Sequence, residues 1–114
     1  MFMLSEKEIL KNRKMFREVD RDAVTIFKAL SDVNRYRIFC ILVEWPKLSV
    51  GTIAKIMHIS LPLTSQHIKM LVHAKLLQKE RVGKRIFSKL EYSNPLAQCI
   101  VKTVKQIVKI KRLE

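Results

Sequence analysis

The stretch Ser60–Leu77, S-L-P-L-T-S-Q-H-I-K-M-L-V-H-A-K-L-L, decides how the rest of the chain is read. At helical spacing Thr64, Ile68, Leu71 and Lys75 fall on one side, with Val72 beside them. That narrow stripe suits a small core, with Lys75 contributing its aliphatic stem. The opposite side carries Gln66, Lys69 and His73, flanked by Leu63, Ser65 and Met70. No acid stands anywhere between Trp45 and Lys79. A helix that is apolar behind, polar to basic in front and free of carboxylates suits a DNA groove. Its start is marked. Ser60 is placed to cap the free N–H groups, and Pro62 sits in the first turn, where a missing donor costs nothing.

The composition agrees with that reading. The 114 residues make one domain, 1–114, with a modest core. Apolar residues are 48% of the chain, so it is globular rather than disordered. Two glycines and three prolines favour long helices and few turns. Formal net charge is +13, from 23 basic and 10 acidic residues. Such an excess repels itself in a small domain unless a polyanion binds. Nucleic acid is the first partner to consider and an anionic membrane surface the second.

Two cysteines without CxxC spacing argue against a disulfide scaffold and a zinc ribbon. The opening M-F-M-L-S-E-K-E turns acidic at once and lacks the apolar segment of a signal peptide. The longest apolar run, Ile38–Val43, is too short to span a bilayer. These points predict a cytoplasmic protein without a membrane partner.

Outward from the organising helix, Ser5-Glu6-Lys7-Glu8 reads as a capping box with Leu4 as a staple. The helix it starts, about 5–19, carries Ile9, Leu10, Met15, Phe16 and Val19 among several cations. Asp20 and Asp22 mark a second start, and Ala23, Val24, Ile26, Phe27 and Leu30 line a short helix. Ser31 and Asp32 cap a third, which runs to Glu44 and stops at Trp45-Pro46. Ser49 caps a fourth, short helix with Ile53, Ala54 and Met57 inside. Ile59-Ser60 joins it tightly to the organising helix, a helix-turn-helix pattern.

Beyond Ala74, two short strands flank Val82-Gly83-Lys84, and Gly83 supplies the positive φ of a hairpin turn. Ile86 and Leu90 share a face, and Arg81, Lys84 and Arg85 crowd the tip. Asn94-Pro95 opens the last helix, about 94–112, striped by Leu96, Ile100, Val104, Ile107 and Lys111. The class is mainly α with a small β-hairpin.

Four stretches carry a family resemblance: F-K-A-L-S-D-V-N-R-Y-R-I (27–38), L-S-V-G-T-I-A (48–54), T-S-Q-H-I-K-M-L (64–71) and R-V-G-K-R-I-F (81–87). In this order they resemble the ArsR/SmtB family of dimeric winged-helix repressors, the last stretch being the wing. The resemblance implies a winged helix-turn-helix, paired through the first and last helices. It also implies DNA release on an inducer and repression of the protein's own operon. Two departures stand out. Leu61 and Leu63 replace the polar residues common there, leaving apolar groups that suit a thymine methyl. Val33 stands where a proline is common, which affects the start of the helix only.

Within this frame the expected DNA contacts are Leu63, Ser65, Gln66 and Lys69 on the helix and Arg81, Lys84 and Arg85 on the wing. A solvated helix face and an ordinary charged hairpin are the plainer readings. Three cations around one turn favour an anion, phosphate or minor groove. His67, on the flank of the core side, reads as structural or phosphate-contacting.

No metal site is expected. The thiolate motif implied by the resemblance would fall on Ser49 and Gly51, neither of which supplies a thiolate. A carboxylate–histidine site on the last helix would need His after Pro95, where there is none. His58, His67 and His73 share no helical face. Cys40 matches the cysteine of the sulfide- and persulfide-sensing members, whose partner cysteine would fall near Ile107. Cys99 sits about two turns earlier, roughly 12 Å along the helix, against a disulfide Cα limit of about 7 Å. Cys40 and Cys99 are thus candidate redox residues, with two separate thiols as the plainer reading.

No Gly-rich phosphate loop, Ser/His/Asp set or carboxylate pair is visible, so neither an enzyme nor a cofactor is expected. The reading is a homodimeric repressor of its own operon that binds an inverted repeat in duplex DNA. The alternative is a basic winged-helix module for RNA or an acidic protein, which has no need of the helix's front face.

Overall fold

The computed structural model describes residues 3–113, apart from the side chains of residues 18–20. The elements run α1 (Glu6–Leu30), α2 (Val33–Glu44), β1 (Lys47–Ser49), α3 (Val50–Met57), α4 (Leu61–His73), β2 (Leu77–Val82), β3 (Arg85–Leu90) and α5 (Pro95–Arg112). The expected class, mainly α with a hairpin, holds, with one strand added.

Helix α1 is continuous where the sequence reading placed two helices. Its capping box is complete: Glu8 N–H donates to Ser5 Oγ at 3.1 Å, and Ser5 N–H to Glu8 Oε1 at 3.0 Å. No Gly or Pro interrupts residues 1–45, and aspartate alone does not end a helix. Asp22 therefore sits inside α1. The side chains of Val19 and Asp20 lie outside the described residues. The real boundary is Asp32, whose carboxylate accepts from the N–H groups of Asn34 and Arg35 and caps α2. Those bonds, from Arg35 first, hold the Asp32 carboxyl below its ordinary pKa despite the opposing cost of desolvation. Arg35 Nε in turn donates to Ala29 O at 2.6 Å, satisfying a carbonyl that α1 leaves free.

The remaining caps match the sequence. Ser49 Oγ accepts from Thr52 N–H, Ser60 Oγ from Leu63 N–H and Asn94 Oδ1 from Leu96 N–H. Lys75 corrects the expected core stripe. It lies past the end of α4, exposed and left-handed at φ 62°, and Leu76 N–H reaches back to Leu71 O. His58 ends α3 in the same conformation, with Ile59 N–H bonded to Ala54 O.

Strand β1 went unread in the sequence. It pairs antiparallel with β3, giving a three-stranded sheet in the order β1-β3-β2 with Leu48 opposite Ser88. Gly83, at φ 62°, turns the hairpin, so that Val82 faces Arg85. Leu90 is buried with Ser88, while Ile86, on the same face, is exposed near the tip. The core gathers Ile26, Phe39, Leu42, Ile53, Ile68, Leu71, Leu77, Leu90 and Val101 from every helix and the sheet. On α5 the inner residues are Ala97, Val101 and Val104, of which only Val104 belongs to the expected stripe. Leu96 and Ile107 face out, and Val104 belongs to this domain's own core.

Candidate nucleic-acid interface

Helix α4 presents the face that its sequence predicted. Thr64, His67, Ile68 and Leu71 are buried, which turns Gln66, Lys69 and His73 outward, and all three are exposed. Two flanks border that front. Leu61 and Ser65 lie toward the wing; Leu63 and Met70, seven residues apart and so nearly in line, lie on the other side. The Thr64 hydroxyl bonds back to Ser60 O at 2.8 Å, which lets a polar side chain sit wholly inside the core. His67 is buried too, which supports its structural reading rather than a phosphate contact.

An open groove of about 540 Å³ runs between the start of α3, the start of α4 and the wing. It brings Ser65 together with Lys84 and Arg85. Leu63, Gln66 and Lys69 stand outside it on the front of α4, and Arg81 lies farther down the wing, opposite Ile86. The sequence reading missed Thr52 and Lys55, which line the groove from α3, and Ile86 on the wing; Leu61, which it singled out beside Leu63, lines the groove as well. Lys55 was legible as a cation one turn from a cap, but its approach to the wing depends on β1, which the sequence did not reveal.

Charge is arranged along the wing. Glu80 is the one acid between Trp45 and Leu90, and it binds Lys47 at 3.0 Å and Lys89 at 3.4 Å at the wing's base. Those two cations, Lys47 first, hold the Glu80 carboxyl below the usual carboxylate range. Lys47 also lies over the Phe87 ring, 5.2 Å from its centroid. The base is thereby partly neutralised, while Arg81, Lys84 and Arg85 toward the tip remain exposed.

Among the described residues no three of His, Cys, Asp and Glu gather to hold a metal. Ser49 spends its hydroxyl on capping α3. Cys40 is half-buried beside Tyr36, and burial pushes its thiol pKa up. Cys99 is exposed, two residues from both Ala97 and Val101, and so turned away from the side of α5 that packs on α2.

Comparison with known proteins follows this geometry. No protein-family model matches the chain. The HTH-type transcriptional regulator YgaV from Escherichia coli (strain K12) is 29% identical over 85 residues, which span 75% of this chain and 84% of YgaV. The transcriptional repressor BigR from Xylella fastidiosa superposes with a TM-score of 0.67 at 26% identity, over 83% of this chain and 94% of BigR. The homodimeric winged helix-turn-helix DNA-binding domain Mb0332 from Mycobacterium bovis, a possible ArsR-family transcriptional regulator, covers 100% of this chain and 94% of its own, at TM-score 0.70 and 20% identity.

The chain is a winged helix-turn-helix protein. In it α3 and α4 are the helix-turn-helix and β2–β3 the wing, as the four sequence stretches implied. The ArsR/SmtB resemblance is met by its structural neighbours, and its relatives are transcriptional regulators. No helix of the winged helix-turn-helix protein is long and apolar enough, among the described residues, to cross a membrane.

Proposed function

We propose that this protein is a cytoplasmic, homodimeric repressor of its own operon, bound to an inverted repeat in duplex DNA and released by a signal yet to be identified. One observation carries the reading. An acid-free α4 meets a cation-tipped wing across a groove that Ser65 lines with Lys84 and Arg85, and the one nearby carboxylate is already taken by two lysines. Leu63, Ser65, Gln66 and Lys69 read base edges. The Gln66 amide matches the N6/N7 edge of adenine. Arg81, Lys84 and Arg85 hold phosphates, which fix position but carry no sequence information.

The dimer rests on surface arithmetic. The chain exposes 8817 Å², whereas a compact monomer of 13.4 kDa exposes about 6500 Å². On the terminal helices Ile9, Leu10, Phe16, Ile107 and Ile110 are exposed. A second copy pairing through α1 and α5 covers them and places two α4 helices at half-sites roughly 34–36 Å apart, or a multiple of that.

Selection of bound duplexes from a random pool tests the proposal. An enriched inverted repeat supports it. A pool that stays random, with RNA bound equally well, moves the protein to the class of nonspecific nucleic-acid or acidic-protein binders.

A further inference from the structure

We infer that Leu63 reads the 5-methyl group of a thymine, so that each half-site carries an A·T pair one step of the helix face away from the base read by Gln66. This rests on the duplex-DNA reading and gives it a chemical preference. The inner side of α4 is fixed by Thr64, His67, Ile68 and Leu71, which puts Leu63 on the flank turned away from the wing, 38% exposed. Its N–H is spent on Ser60 Oγ, so the residue offers an outside partner only its apolar side chain. Exposed leucines are common on surfaces and mean nothing singly. This one stands in the first turn of the helix, the end that a helix-turn-helix brings to the base edges, and three residues before Gln66.

The partner there is not an apolar peptide. The front of α4 beside Leu63 carries Lys69, the groove on the helix's other flank adds Lys55, Lys84 and Arg85, and neither α3 nor α4 carries an acid. That charge selects a polyanion, and the one apolar group a polyanionic duplex offers in its major groove is the thymine methyl. Met70 shares the flank but lies about 10.5 Å further along the helix, toward the end that leaves the groove.

The test replaces thymines of the selected operator one at a time with deoxyuridine, which deletes the methyl and keeps the pairing and the O4 acceptor. Fluorescence anisotropy at fixed salt should show one position per half-site where binding weakens about fourfold, the worth of one buried methyl-sized group. In Leu63→Ala that position should become indifferent to the methyl, while Gln66→Ala and Met70→Ala keep the fourfold difference. Thermal unfolding confirms that Leu63→Ala is folded, as its exposure leads one to expect. Uracil tolerated at every position, or an unchanged uracil effect in Leu63→Ala, overturns the inference and leaves the regulator reading standing. A selection that yields no preferred duplex overturns both, before any uracil is introduced.

Discussion

Lys47 reaches across β3 to Glu80, 3.0 Å away, passing over the Phe87 ring on the sheet face opposite the core. The contact ties β2 to a strand that is one residue from the start of α3. It adds to the β1–β3 ladder, which joins the wing to the helix-turn-helix.

Replacing Glu80 with Gln releases Lys47 and Lys89. Affinity for random duplex should rise, and the slope of log affinity against log salt should steepen by up to about two units. Stability at neutral pH should change little, as exposed ion pairs contribute little. The sign of the pH effect is fixed by the depressed carboxyl. The stabilisation is complete above the unfolded value of 4.5 and fades as pH falls through the lower folded value. Wild-type and Glu80→Gln unfolding curves should converge in acid. A gap that widens in acid would refute the pairing.

Arg85 and Gln66 should divide their labour. Arg85→Ala is expected to weaken operator and random DNA alike and to lower the salt slope by about one unit. Gln66→Ala should cost about 1–3 kcal/mol on the operator only. Equal losses on every sequence from both variants would mean that α4 reads no bases.

Ile107 and Val104 separate dimerisation from folding. Ile107 is 39% exposed and Val104 3%. Ile107→Glu should yield a folded monomer by sedimentation, with helical circular dichroism kept. Val104→Glu should unfold the domain, because a charge there is buried without a partner. A wild-type protein that sediments as a monomer at micromolar concentration would end the dimer proposal.

Lys75 occupies a left-handed position that glycine adopts without strain. Lys75→Gly should stabilise the protein by up to about 1 kcal/mol, net of the extra freedom glycine gives the unfolded chain. Thermal unfolding reads this as a rise of a few degrees. A fall would mean that the lysine contributes a contact beyond its backbone shape.

Cys99 should react with iodoacetamide at pH 7 well before Cys40. Thiolate is the reactive form, and burial keeps Cys40 protonated. Mass spectrometry after brief labelling distinguishes the two. Under mild oxidant the chain should not lose both thiols to one intramolecular disulfide, since Cys99 faces away from α2.

Much of this was legible because it is written in local chemistry. Ser5, Asp32, Ser49, Ser60 and Asn94 each announce a helix with an oxygen one to three residues before free N–H groups. Gly83 announces a turn. Strand β1 was not legible: three residues, K-L-S, are too few to establish a period, and they are a strand only because β3 runs beside them. Asp20-Arg-Asp22 looks like a boundary because aspartate caps helices well, yet α1 continues through it with no breaker nearby. On α5, two apolar stripes lie side by side. The smaller one, with Ala97 and Val101, goes inside because α2 approaches closely, and spacing alone does not say which stripe that is. For the site, the front of α4 follows from its period. The meeting of Ser65 with Lys84 and Arg85 does not, since it depends on where the hairpin folds back.

Helix α1 extends 25 residues, and side chains from Glu6 to Arg17 are exposed apart from the half-buried Asn12. The exposed part of α1, Glu6–Arg17, is of a length at which an isolated helix is marginal in water, so in the proposed dimer a second chain would supply the surface that orders it. In the proposed dimer the arm is then ordered only above a threshold amount of protein, and assembly rises with the square of monomer abundance. Repression would therefore set in abruptly as the protein accumulates, and ease abruptly when cell division dilutes it.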